Sequence, residues 1–235
     1  MNSTPPKIVS SQVAHHLVPG WKRTFDLACI VLAAPLLVMA CAVIGTAIKI
    51  LSPGPVLFKQ DRIGLAGRRF KCLKFRTMVV EADSTVHQGH LSNLISTNQP
   101  MTKLDSAGDP RLLPGGRILR AIGLDELPQV INILRGEMSL VGPRPCLPYE
   151  YERYSARHRR RCETLPGLTG LWQVSGKNHT TFEEMMDLDI RYVDRKSLLL
   201  DIKILIKTLP AIIVQVSEAV WKRIPRRGGT PLSSA

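Results

Sequence analysis

Apolar positions are unevenly spread along this chain, and the longest run comes early. From residue 27 to residue 48 no side chain is charged. About 22 such residues in a straight helix would just cross a bilayer core. Pro35 stands mid-run, where it removes a backbone hydrogen bond and bends a helix. Basic residues flank both ends: Lys22 and Arg23 before, then Lys49, Lys59, Arg62, Arg68, Arg69, Lys71, Lys74 and Arg76 after. The positive-inside rule puts both flanks on the cytoplasmic side, so a helix that enters, breaks at Pro35 and returns fits better than one span. A cleaved signal peptide fits poorly, because the run is too long and continues past Ala40-Cys41-Ala42.

Beyond the run the periodicity changes. Residues 56–60 and 69–75 lean towards β structure and are joined by a turn at Gly64 and Gly67. Short helices are expected at 83–95, 117–122 and 125–135, the last closed by Gly136, with a turn at Asp109-Pro110. A strongly charged helix is expected over 148–162, ending in five consecutive basic residues, Arg157 to Arg161, read as a face for anionic lipid. Thr181 and Glu184 form a capping box that starts a helix towards Tyr192. Residues 198–215 are apolar nearly all round, with Lys203 and Lys207 able to snorkel and Pro210 to bend the helix, which suits a membrane interface. The expected division is a flexible tail at 1–20, a membrane helix-break-helix at 21–51, a catalytic domain at 52–216 and a basic tail at 217–235.

Composition narrows the partners. In 235 residues, 32 Lys and Arg against 19 Asp and Glu leave a net charge of +13, which calls for an anionic partner such as phospholipid, nucleic acid or a phosphorylated substrate. Hydrophobic residues at 44% allow a real core. With aromatics at only 5%, and without the interleaved aromatic platforms of single-strand binders, a nucleic-acid module is disfavoured. Five cysteines with no CxxC pair argue against a disulfide framework or zinc site and for a reducing compartment.

Common catalytic motifs are absent: there is no GxGxxG, HExxH or GxSxG, and Gly170 to Asn178 has the wrong spacing for a phosphate loop. What remains is acid amid positive charge. Asp125 and Glu126 open a helix; that is ordinary capping, yet the same place favours phosphate chemistry. In Gly142-Pro143-Arg144-Pro145, two prolines stiffen the chain around a guanidinium fork suited to phosphate, or simply make a rigid turn. Lys74 and Arg76 alternate about Phe75 and on a strand would share one face.

Read in order, WKRTFDL, SPGPVLFKQDRIG, FKCLKFRTM, GDPR, LDELPQVINILRGEMSLVGPRP, LPGLTGLWQVSGKN and LDIRYV resemble the bacterial sugar transferase family, the monotopic polyprenyl-phosphate phosphoglycosyl transferases. The resemblance runs from Trp21 to Ile213 and is nearest to the short enzymes that begin exopolysaccharide repeat units. It implies a mostly helical α/β cytoplasmic domain with a short β-hairpin, anchored at the inner membrane by a re-entrant helix broken at Pro35 and by amphipathic interfacial helices. It implies transfer of a sugar-1-phosphate from a UDP-sugar to polyprenyl (undecaprenyl) phosphate, with UMP as the other product.

Asp125 and Glu126 match the family's catalytic pair. Asp125 would form an aspartyl-phosphosugar, and Glu126 with Asp125 would hold Mg²⁺. Lys74, Arg76 and Arg144 would offset phosphate repulsion, and Asp189 matches the acid of LDxxYV that positions the metal or the pair. Anionic inner-membrane lipid and downstream glycosyltransferases are the implied partners, with no nucleic acid. Two departures stand out: Ala34 precedes Pro35 where some relatives have Ser, and Ile122-Gly123 precedes Leu124 where Thr-Ser or Leu-Ser is commoner, which would loosen the approach to the acid pair. The competing class is a membrane-tethered basic binding or scaffold protein without catalysis, in which Asp125 only caps a helix.

Overall fold

The computed structural model describes residues 18–78, 112–176 and 179–221, with side chains to residue 214. The helix expected at 83–95, the Asp109-Pro110 turn, most of the 1–20 tail and the chain after Trp221 lie outside the described residues.

Helix α1, Gly20–Leu51, is one continuous helix of 32 residues with Pro35 inside it. The backbone break expected at Pro35 is therefore not present. One lost hydrogen bond bends a helix without ending it when the turns on either side are intact. Among the described residues this is the one helix long and apolar enough to cross a membrane by length and composition. Its two ends are packed and its middle is bare. Lys22, Asp26 and Ile30 are buried at one end, Ile44 and Ile48 at the other. Between them Val31, Leu32, Leu36, Val38 and Met39 are all exposed, Leu32 by 83%.

Strand β1, Leu57–Ile63, pairs antiparallel with β2, Arg69–Phe75, in the register Leu57↔Phe75 to Ile63↔Arg69. The tight connection uses positive φ at Ala66 and Gly67, so of the two glycines in the expected turn only Gly67 takes up a left-handed conformation. Helix α2, Gly116–Ile122, ends at Gly123 in the left-handed region. Here the glycine supplies a helix stop, so the unusual Ile122-Gly123 has a structural reason.

The helix expected over 125–135 is two elements. Leu124–Glu126 is a 3₁₀ turn, and α3, Gln129–Leu134, starts after Pro128 as its N-cap. Gly136 closes it with φ 76°.

Strands β3, Ser139–Val141, and β4, Gly167–Thr169, form a short parallel pair. Its neighbouring loops fit backbone to backbone. A Cβ on Gly142 would strike the Leu165 carbonyl oxygen, one on Gly167 the Gly142 nitrogen, and one on Gly170 the Gly142 carbonyl oxygen. Close approach is what these three glycines provide.

The single charged helix expected over 148–162 is instead α4, Pro148–Arg153, α5, Ala156–Arg159, and a 3₁₀ turn Arg160–Cys162. The extended backbone at Tyr154 and Ser155 breaks it: Tyr154 turns into the core, and the Ser155 hydroxyl accepts from the His158 N–H to restart the helix. After α6, Leu171–Val174, helix α7, Phe182–Arg195, carries the expected Thr181/Glu184 capping box. Its buried residues Phe182, Met185, Met186, Asp189, Ile190 and Val193 follow helical spacing. Helix α8, Leu198–Trp221, runs through Pro210 and leaves Leu199, Ile206, Leu209 and Ile213 exposed.

Candidate active site

The acid pair is placed by apolar neighbours on its own turn. Leu124 and Leu127 pack beside Ile44 and Ile48 of α1 and Phe75 of β2. The 3₁₀ turn between them, closed by Glu126 N–H to the Gly123 carbonyl at 3.1 Å, sits where the apolar helix meets the domain. Asp125 is 9% exposed. Glu126 points to two cations: its Oε1 lies 2.7 Å from Lys74 Nζ and 3.4 Å from Arg144 Nη1. All three side chains keep some solvent contact, 18%, 16% and 31% for Glu126, Lys74 and Arg144.

Asn132 brings these parts together. It is fully buried in α3; its Oδ1 accepts from the Leu73 N–H at 3.0 Å, and its Nδ2 donates to the Lys71 carbonyl at 2.8 Å and to Glu137 at 2.6 Å. One amide thus ties α3 to β2 on either side of Cys72 and sets Lys74 opposite Glu126. The cleft that results is lined by Arg62, Cys72, Lys74, Glu126, Gln129, Arg144, Pro145 and Gly167. Lys74 and Arg144 meet the Glu126 carboxylate while Arg62 is engaged by Gln60 and the Pro145 carbonyl, so the cleft carries positive charge that favours an anionic group.

The donor set also bears on a divalent ion. Among the described residues no cluster of three His, Cys, Asp or Glu side chains is present. Asp125 and Glu126 alone are too few for an all-protein cage, and they fit Mg²⁺, which binds through one or two carboxylates plus phosphate oxygens and water.

A model of bacterial sugar transferases matches residues 17–215. The chain belongs to the bacterial sugar transferase family. An exopolysaccharide production protein, ExoY, from Sinorhizobium fredii is 40% identical over 191 residues, covering 81% of this chain and 84% of that one. A UDP-glucose:undecaprenyl-phosphate glucose-1-phosphate transferase from Caulobacter vibrioides is 41% identical over 82% of this chain and 69% of its own. An undecaprenyl-phosphate galactose phosphotransferase from Salmonella typhimurium is 36% identical over 82% of this chain but only 40% of its own.

Within this sugar transferase Asp125 adjoins the cleft through Glu126 without being one of its lining residues, and two other expected site residues lie elsewhere. Arg76 is just past the end of β2. Its two terminal nitrogens donate to the Ser52 and Pro53 carbonyls, each at 2.8 Å, where α1 ends. It holds the chain just past the end of α1 and is not among the residues lining the cleft. Asp189 does not line the cleft either; it holds Arg161 at 2.5 Å. Burial pushes the Asp189 carboxyl up to about 6 in spite of the attraction of Arg161.

The basic run read as a lipid-facing patch divides. Arg161 is buried, Arg157 pairs with Asp187 and Glu183, and Arg160 pairs with Asp194 at 2.6 Å. A run of five basic residues reads as a solvated face only while its acidic partners on α7 are out of view. Asn132, Arg62 and Arg161 were all missed from sequence. A polar Asn inside the apolar run Val130-Ile131-Asn132-Ile133-Leu134 was the available signal for the first.

Proposed function

We propose that this chain transfers a sugar-1-phosphate from a UDP-sugar to polyprenyl phosphate, the first membrane step in making an exopolysaccharide. An Asp125 carboxylate oxygen attacks the phosphorus bearing the sugar. The bond from that phosphorus to the bridging oxygen breaks, and UMP leaves with the electron pair. A polyprenyl phosphate oxygen then attacks the same phosphorus and releases the Asp125 carboxylate, giving polyprenyl-diphospho-sugar. A carboxylate is a weak nucleophile towards an anion, so the phosphate charge must be offset first. Lys74 and Arg144 do this from the protein side, and Glu126 keeps the two cations aimed at the cleft. Mg²⁺, held by Asp125 and Glu126, would supply further neutralisation of the diphosphate.

The observation that carries this reading is the position of Glu126, between Lys74 and Arg144 beside an adjacent carboxylate. The printed activities of the Caulobacter and Salmonella relatives support the substrate classes. Packing of Leu124 and Leu127 against α1 supports delivery of a lipid-borne phosphate, because the acid pair then lies at the level where an apolar helix leaves the domain. Both ends of α1 contact the same domain and both flanks are basic, which supports both ends of this unbroken helix lying at the cytoplasmic face of the inner membrane.

The test is a half-reaction. With UDP-galactose or UDP-glucose and Mg²⁺ but no polyprenyl phosphate, the protein should release about one UMP per active site and stop. The peptide containing Asp125 should gain the mass of one sugar phosphate. Asp125→Asn should abolish both and leave the fold intact, since Asn serves a turn about as well as Asp. Normal turnover by Asp125→Asn would sink the covalent mechanism.

A further inference from the structure

The loop that presents Arg144 is held one carbonyl at a time. The Pro143 carbonyl accepts from the Gly167 N–H, and the Cys146 carbonyl from the Ile63 N–H, both at 2.9 Å. The two carbonyls between them go to side chains. Arg161 Nη2 donates to the Arg144 carbonyl at 2.9 Å, and Arg62 Nη1 to the Pro145 carbonyl at 2.8 Å.

Both of these guanidinium groups are buried, 4% exposed for Arg161 and 8% for Arg62, and each is fixed from behind. Arg161 also donates to Asp189 Oδ2 at 2.5 Å and to the Tyr154 hydroxyl at 2.8 Å. Arg62 donates through Nε and Nη2 to Gln60 Oε1, at 3.1 and 2.7 Å. Pro143, Pro145 and Cys146 are buried, so these carbonyls need partners, which a neutral donor would supply at a lower desolvation cost than a guanidinium. Burying two cations to hold them costs desolvation, and Pro143 and Pro145 already stiffen the turn. Stability alone is a poor reason for such a clamp.

We infer that Arg62 and Arg161 are positioning residues for Arg144, fixing its main chain so that its guanidinium stands beside Glu126 before a phosphate arrives. The inference rests on the sugar-phosphate transfer reading and assigns these two arginines a part in it without requiring either to touch substrate. A donor already in place needs no reorganisation as charge develops, which is where fixed dipoles and charges gain their effect. The clamp comes from two elements distant in sequence, β1 and the 160–162 turn, so either arm can be removed separately.

The test is a double-mutant cycle on the full chain, with UMP release from UDP-galactose or UDP-glucose as readout. Arg161→Lys and Arg62→Lys keep the charge but cannot serve the loop carbonyl and the rear acceptors together. Each should lower kcat/KM by on the order of 10- to 100-fold, the cost of misplacing a binding group by about an ångström. In an Arg144→Ala background the same changes should matter less than about threefold, the limit for residues with no independent role. Thermal stability should fall equally in both backgrounds. Equal activity losses with and without Arg144 would overturn the inference, since the two arginines would then act as general scaffold or as substrate ligands themselves. Should Arg161→Lys fail to fold, Arg62→Lys carries the cycle. The same cycle read on UDP affinity by calorimetry tests the clamp even if the unaltered protein releases no UMP, an outcome that would count against the transferase reading instead.

Discussion

Two lysine–carboxylate pairs in this protein have nearly the same length and opposite settings. Lys22 Nζ lies 2.6 Å from Asp201 Oδ2, and neither side chain has any solvent contact. Lys74 Nζ lies 2.7 Å from Glu126 Oε1, with 16% and 18% exposed. Around the first pair the polar groups are enclosed: Lys22 also reaches the Tyr192 hydroxyl at 2.9 Å, which lies 2.8 Å from Asp201 Oδ1 and 3.1 Å from the Val141 carbonyl oxygen. The pair is fully enclosed and joins the start of α1 to α7, α8 and β3. Around the second pair Arg144 and Arg62 add positive charge, and a cleft opens beside them. The chemical pair is the same; surroundings make one an enclosed rivet and the other a partly solvated pair at the edge of a positively charged cleft.

That contrast can be broken most forcefully at Lys22. Lys22→Met leaves Asp201 buried without its cation and should cost about 3–5 kcal/mol of stability, read by denaturation in detergent, with activity lost only as the fold is lost. A cost under about 1 kcal/mol would show the pair to be no rivet. Lys74→Met should reverse the pattern. Stability should change by about 1 kcal/mol or less, because the pair is partly solvated. UMP release should fall on the order of 100-fold with the loss of one donor to the developing charge. Arg144→Lys should have a smaller effect, about tenfold in kcat/KM for one charge-assisted hydrogen bond lost from a planar fork. If lysine serves as well as arginine at 144, the position is merely electrostatic.

The smallest effect is a pH dependence. The Asp189 carboxyl, pushed up to about 6 by burial, is ionised at neutral pH and completes the pair with Arg161. As pH falls through about 6 the pair should lose its charge, and turnover should decline with it. The sign for stability is the reverse. A raised carboxyl value means the folded state binds the proton more tightly than the unfolded one, so this group's contribution grows on acidification and fades as pH rises through about 6. A drop in turnover without unfolding is therefore expected, and Asp189→Asn should flatten that limb of the profile. A profile unchanged in Asp189→Asn would remove Asp189 from the path to Arg144.

Elements made by neighbours in sequence were legible. The hairpin at 57–75, the capping box at Thr181 and Glu184, the glycine stop at Gly136 and the apolar run of α1 all depend on contacts within a few residues. The failures share one cause. Arg76 looked like a partner of Lys74 because they alternate, yet the strand ends between them and Arg76 follows the end of α1 instead. Arg161 looked like part of a surface patch because its neighbours are basic, while its acidic partner stands 28 residues further on. The single helix expected over 125–135 is divided at Pro128, because packing of Leu124 and Leu127 on α1 selects a separate 3₁₀ turn.

By itself the sequence determined the family, an adjacent acid pair in a chain rich in cations, and an apolar helix long enough to cross a membrane. These follow from motif order, residue chemistry and local periodicity, none of which needs distant contacts. Only the tertiary structure decided which cations face Glu126, which cap a helix end and which hold a loop. A guanidinium can do any of the three, and burial and the partners within hydrogen-bond reach select among them. Those partners come from elsewhere in the chain: Glu126 for Lys74, Ser52 and Pro53 for Arg76, Asp189 for Arg161.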